Sequence, residues 1–108
     1  MGTSVAVQNV GDGQSTAFQD ADDGFAGHVT FDVYGTFVGT LTFQGRIPGG
    51  SNVYTVTATR LADNTAVTTA SDSNKGLYRI NATGIEVRLT MTSYTSGTAN
   101  IICKPLIG

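Results

Sequence analysis

The sequence predicts an all-β fold, a compact antiparallel β-sandwich or jelly-roll-like domain of about eight short strands. Three observations predict it: apolar and polar residues alternate along several stretches, Gly- and Asn-rich turns separate those stretches at short intervals, and Thr, Ser, Gly and Asn replace charged residues on the surface. Alternation is typical of strands with one face on a core, and β-branched Thr suits a half-exposed pleated face. A length of 108 residues fits one domain with one core.

The first 27 residues are predicted to form a strand, residues 4–10, followed by an extended arm or loop. Residues 11–27 are rich in Gly and Asp, and their large apolar residues are Phe18 and Phe25. Such a segment carries too little apolar surface to build a core. We therefore expect an arm that is mobile in the isolated protein and that docks on a neighbouring subunit through these two aromatic residues.

Residues 28–108 are predicted to form the body of the sandwich. The main strands are expected where alternation is clearest, over residues 29–33, 37–44, 54–59 and 85–92. Shorter strands are expected over residues 65–70, 76–81 and 98–106. The predicted core takes the inward positions of the main strands: Phe31, Phe37, Leu41, Phe43, Val56, Val87 and Leu89. Gly39 lies in the middle of a strand, which predicts a β-bulge or the close approach of another backbone or a bulky side chain.

Charge is low and unevenly distributed. Charged residues make up 13% of the chain and the net charge is −2, which disfavours nucleic acid as a partner. Five Asp and no basic residue precede Arg46, whereas six basic and three acidic residues occupy the remainder. The two parts either face each other within the fold or meet between neighbouring subunits. Exposed ion pairs contribute little to stability, which favours the first interpretation.

Catalytic groups are scarce. Cys103 is the single cysteine, so an internal disulfide is excluded, and its apolar neighbours predict a buried thiol with a raised pKa. His28 is the single histidine, and pairing it with Cys103 would require a thiolate in an apolar strand. No stretch approaches the ~20 apolar residues of a membrane helix, and the chain does not open with a signal-peptide pattern. We predict a protein that is not an enzyme and has no cofactor, nucleic-acid or membrane partner.

The best metal candidate is an acidic stretch before Gly24. Asp20, Asp22 and Asp23 supply the oxygen ligands that calcium prefers, close to a Gly that permits a tight turn. The distal Glu of a helix-loop calcium site does not follow. The alternative is a solvated acidic turn, in which each Asp accepts hydrogen bonds from nearby backbone.

An ordered set of segments resembles small virion proteins of tailed bacteriophages. Residues 35–45 (GTFVGTLTFQG) resemble a strand motif of that group, and residues 47–52 (IPGGSN) resemble the hairpin turn after it. The later segments follow in the same order: residues 76–80 (GLYRI) with Gly84, 86–89 (EVRL) and 92–98 (TSYTSGT). Together they span about residues 28–104. Similar sequences often carry Trp after the Ser-Asn turn, where this chain has Val53 and Tyr54.

The resemblance implies a structural virion protein with a compact β-sandwich. A module of this size is most similar to head decoration (cement) proteins, which bind the major capsid protein or another virion protein on the capsid surface. It would be made in the host cytoplasm and act as a small homo-oligomer, a dimer or, as the resemblance implies, a trimer. Candidate interface residues are Phe18, Phe25, Tyr34 and Tyr54. The alternative is a receptor- or glycan-binding module at a tail or fibre tip, with Tyr34, Tyr54, Tyr78 and Tyr94 as a platform for sugars.

Overall fold

The structure, a computed structural model, describes residues 7–20 and 27–105. These residues form eleven β-strands in an all-β fold, which confirms the predicted fold class. More strands than eight are present because several contain only two or three residues. The strands are β1 Val7–Val10, β2 Gln19–Asp20, β3 His28–Tyr34, β4 Phe37–Arg46, β5 Tyr54–Thr55, β6 Ala58–Arg60, β7 Thr65–Val67, β8 Thr69–Ser71, β9 Gly76–Asn81, β10 Glu86–Gly97 and β11 Ala99–Pro105.

Two antiparallel sheets pack face to face. The six-stranded sheet has the order β1-β11-β3-β9-β6-β7. The five-stranded sheet has the order β2-β10-β4-β5, with β8 also paired to β4. Aromatic rings join the sheets across the core: Phe43 of β4 lies 5.6 Å from Phe31 of β3 and 5.3 Å from Tyr78 of β9, measured between ring centroids. Within the part of the chain that the structure describes, no helix is long and apolar enough to cross a membrane.

The core consists of the inward residues of both sheets. Six of the seven predicted core residues are buried, at most 4% exposed. Val56 is partly buried and packs against the core at one end of the sandwich. Because Leu, Val and Phe at these positions each remove apolar surface from water, this cluster is the main source of stability.

Gly39 stands opposite two irregularities of β10, as predicted. The β4–β10 register shifts between Met91 and Ser93 and again between Tyr94 and Ser96. A Cβ at position 39 would lie 2.5 Å from the Ser93 carbonyl oxygen and 2.9 Å from Met91 Sδ. The backbone of β10 therefore approaches β4 too closely for any side chain here.

Two predicted strands are each divided between the sheets. Residues 54–59 were expected to form one strand, but β5 belongs to the five-stranded sheet and β6 to the six-stranded sheet. Residues 65–70 divide in the same way into β7 and β8. Both crossings are held by Phe43, whose carbonyl accepts from the Val56 N–H and whose N–H donates to the Thr68 carbonyl, each at 3.0 Å. Alternation continues through the crossings because both sheets face the same core.

The N-terminal segment joins both sheets. β1 pairs with β11 of the six-stranded sheet, and residues 14–20 then run antiparallel to β10 of the other. Thr16 is 3% exposed; its N–H donates to the Leu89 carbonyl at 2.9 Å, and its hydroxyl accepts from the Leu89 N–H at 3.1 Å. The sequence predicted an extended arm over residues 11–27, whereas residues 14–20 pair with β10 of the same chain. Docking of this segment on a neighbouring subunit stays a prediction.

Candidate interaction surfaces

Phe18 lies on the outer face of its own five-stranded sheet, beside two arginines. The Cζ atoms of Arg46 and Arg88 lie 3.8 Å and 4.5 Å from the centre of the Phe18 ring, both within range of a cation–π interaction. Arg46 Nε also donates to Glu86 at 2.9 Å, and Arg88 Nε donates to Gln44 at 2.9 Å. The Phe18 ring therefore packs residues 14–20 against β4 and β10 through these two arginines.

Most of the other side chains described on this outer face are short and polar and bond to one another, with Val38 as an exposed apolar exception. Thr42 and Thr92 share a hydrogen bond of 2.8 Å between their hydroxyl groups, and the Thr90 hydroxyl donates to Gln44 at 2.8 Å. The hydroxyl of Ser15 lies 2.8 Å from that of Thr90. These side chains satisfy much of each other's hydrogen-bonding capacity, so this face gains little by binding a partner.

The outer face of the six-stranded sheet is different, because several larger apolar side chains lie on it near one another. The strand register places Val7, Ile102, Asp32 and Leu77 side by side on β1, β11, β3 and β9. Tyr34 follows Asp32 at the next outward position of β3. Val7, Tyr34 and Leu77 are 47%, 36% and 49% exposed. We call Val7, Tyr34, Leu77 and Ile102 the apolar face.

Two charged residues lie on the same outer surface, and neither forms an ion pair with any side chain that the structure describes. Asp32 lies directly beside Leu77, and Arg79 lies at the next outward position of β9. The ion pairs found in the described part of the chain are Arg46–Glu86 and Arg60–Asp63. Both join residues of the basic second part, so neither links the acidic first part to it.

A groove lies at the end of the sandwich where β4 turns into β5. Its volume is about 290 Å³. The lining residues are Gly45, Arg46, Ile47, Gly50, Ser51, Asn52, Tyr54, Val56 and Ile85. Ile47 is 74% exposed and Tyr54 66% exposed, the two highest values for a large apolar side chain in residues 7–20 and 27–105. Ile47 and Tyr54, both largely exposed to solvent, therefore line the same groove.

The two residues that sequence reasoning paired as a catalytic possibility lie on opposite faces of the six-stranded sheet. Cys103 pairs with inward-facing Phe31, whereas His28 pairs with exposed Asn81. Burial raises the pKa of the Cys103 thiol to about 12, so the thiolate is scarce at neutral pH. Among the described residues there is no group of three or more His, Cys, Asp or Glu side chains that could hold a metal ion.

The predicted site residues are distributed over three places. Phe18 lies on the five-stranded sheet, Tyr34 on the apolar face and Tyr54 at the groove. Phe25, Asp22 and Asp23 lie outside the described residues, and Asp20 is the last residue of β2, paired with Glu86. The calcium site therefore stays a prediction. Tyr78, proposed with other tyrosines as a sugar platform, is instead fully buried between the sheets.

Sequence reasoning missed Leu77 and Ile47, although a signal for each was present. Tyr78 and Ile80 take the inward positions of β9, so strand alternation alone places Leu77 on the outside. Ile47 directly precedes the Pro48-Gly49 turn, an unusual place for a large apolar residue. Comparison with protein-family models, curated proteins and solved structures found no match to this chain.

Proposed function

We propose that this protein is a structural protein of a tailed-bacteriophage virion, a decoration (cement) protein that binds the outer shell of the head. The proposal rests on the resemblance over residues 28–104 and on one feature of the structure, the apolar face. A ligand that binds only the assembled shell stabilises that shell by mass action. A protein with this role needs a broad contact surface rather than a catalytic site.

The apolar face supports this role because it offers both apolar area and polar groups for pairing. Exposed apolar residues that adjoin one another commonly mark protein–protein contacts. Asp32 and Arg79 lie on the same surface, so groups of opposite charge on the shell protein could pair with them. On the outer face of the five-stranded sheet, by contrast, several polar side chains already form hydrogen bonds with one another.

The proposal includes assembly into a small homo-oligomer, a trimer or dimer. Five Asp precede Arg46 in a part of the chain with no basic residue, and both described ion pairs lie in the other part. The proposed contact pairs acidic groups of one copy, such as Asp12 and Asp32, with basic groups of the next. Several weak contacts per oligomer would then act together on the shell. Sedimentation velocity tests this step, and a monomer at high micromolar concentration would contradict it.

Shell binding is tested by sedimenting the purified protein with undecorated heads of the virus that encodes it. We expect the native protein to sediment with the heads and Leu77→Lys to lose most of this binding. Val38→Lys is the matched control, because Val38 is 46% exposed but lies on the outer face of the other sheet. Thermal unfolding should verify that both variants are folded.

Two results would refute the shell-binding proposal: native protein that stays in the supernatant, or Leu77→Lys that binds heads as well as Val38→Lys does. Retention on host cells without head binding would favour the alternative, a receptor-binding module at a tail or fibre tip. Deleting residues 1–27 would be an unsuitable test, because it removes β1 and β2, the partners of β11 and β10, and so damages the fold as well as any contact.

A further inference from the structure

The groove has preformed walls. Gly50 N–H donates to the Ile47 carbonyl at 2.7 Å, which closes the turn, and Gly49 has a φ of 74°, as a Pro-Gly turn of this type requires. The Glu86 carboxylate accepts from Arg46 Nε at 2.9 Å and from the Gly49 N–H at 3.2 Å. Arg46 also donates to the Gly50 carbonyl at 3.2 Å. A turn held at this many points loses little freedom when a ligand binds.

The groove presents neutral hydrogen-bonding groups beside an aromatic ring. The side chains of Ser51, Asn52 and Tyr54 make no hydrogen bond with any described residue, so their donors and acceptors face solvent. The charge of Arg46 is compensated by Glu86. The groove therefore offers no unpaired charge among its described lining residues to attract an anionic or a cationic ligand. This favours a neutral polar ligand.

We propose that this groove binds a neutral saccharide. The Tyr54 ring would contact the C–H face of a sugar ring, and Ile47 adds further apolar lining. Asn52 offers both a donor and an acceptor, and Ser51 offers a hydroxyl, which suits the hydroxyl groups at the edge of a sugar. A volume of about 290 Å³ lies at the small end of ligand clefts, which fits a sugar ring better than an extended peptide.

This inference does not rest on shell binding. The groove and the apolar face are separate surfaces, because the groove lining shares no residue with the apolar face. A head protein or a tail protein could each carry a saccharide site at this end. Failure of the sedimentation experiment therefore leaves the groove proposal intact, and failure of the saccharide experiment leaves shell binding intact.

The test is a titration by saturation-transfer difference NMR with glucose, galactose, mannose and N-acetylglucosamine, and with a trisaccharide of each. We expect saturable binding of at least one probe with a Kd on the order of 1 mM, typical of a small open site. Tyr54→Ala should weaken binding at least tenfold, whereas Tyr54→Phe, which keeps the ring, should weaken it about threefold or less. Tyr34→Ala is the control, because it removes another exposed tyrosine that lies away from the groove.

The proposal is overturned if no probe binds the native protein at tens of millimolar, or if Tyr34→Ala weakens binding as much as Tyr54→Ala. It is equally overturned if Tyr54→Ala binds like the native protein. Circular dichroism of each variant separates loss of the groove from loss of the fold. Binding of an unrelated extended peptide, in place of any sugar, would reassign the groove to peptide recognition and also contradict the proposal.

Discussion

Replacing Leu89 and Leu77 by alanine in separate variants should show how much more a core leucine contributes to stability than a leucine of the apolar face. Leu89 is fully buried, and its N–H and carbonyl are both bonded to Thr16, so its surroundings cannot easily collapse into a cavity. Leu89→Ala should therefore lower the free energy of unfolding by about 3–5 kcal/mol, the upper part of the range for buried leucines. Leu77 is 49% exposed on the outside of β9, and Leu77→Ala should change stability by about 0.5 kcal/mol or less.

The assay is urea denaturation followed by circular dichroism, with thermal unfolding as a second measurement. A loss of 3–5 kcal/mol is a large share of the roughly 5–15 kcal/mol that stabilises a typical domain. At about 4 °C per kcal/mol it corresponds to a fall in Tm of roughly 12–20 °C. The reasoning is refuted if Leu89→Ala costs less than about 1 kcal/mol, or if the two variants lose stability equally.

Three further predictions concern single side chains. Thr16→Val leaves the buried Leu89 N–H without its acceptor, so stability should fall by about 1–3 kcal/mol and amide exchange at Leu89 should accelerate; unchanged exchange would contradict this. Cys103, with a thiol pKa of about 12, should react with a maleimide at pH 8 far more slowly in the native than in the unfolded protein; equal rates would contradict its burial. The hydrogen-bonded Arg60 lowers the pKa of Asp63 to about 2, so the stability from this pair is complete above the ordinary value of 3.8 and is lost as pH falls towards 2. Asp63→Asn should weaken this acid dependence in urea titrations at successive pH values, and an identical pH profile would show that the pair is not its source.

Sequence periodicity predicted strands well wherever a strand stays in one sheet. β3 and β9 lie close to their predicted bounds, because their buried and exposed residues alternate without interruption. Periodicity failed at residues 54–59, since it records which side chains face the core and not which sheet carries them. Gly39 was interpretable from sequence because a glycine in a strand has few other reasons to be there.

The site could be predicted less well, because its surfaces depend on contacts between distant residues. Tyr34 and Tyr54 are both exposed, and their role in an interface stays a prediction. The position of Phe18 depends on its contacts with Arg46 and Arg88. These arginines are far from Phe18 in sequence, so the residues around Phe18 do not indicate the contacts. The groove likewise requires Ile85 to approach the turn after β4, which no spacing in the sequence indicates.

The pairing of β1 with β11 has a consequence for how the chain folds. Gln8 and Cys103, in contact across these strands, are 95 residues apart in sequence. Such long-range pairing slows folding, because a large loop must close before the contact forms. Until that loop closes, β1 and the edge of β11 that it covers are both unpaired. An unpaired strand edge can pair with another chain, so this late contact also protects the folding protein from aggregation.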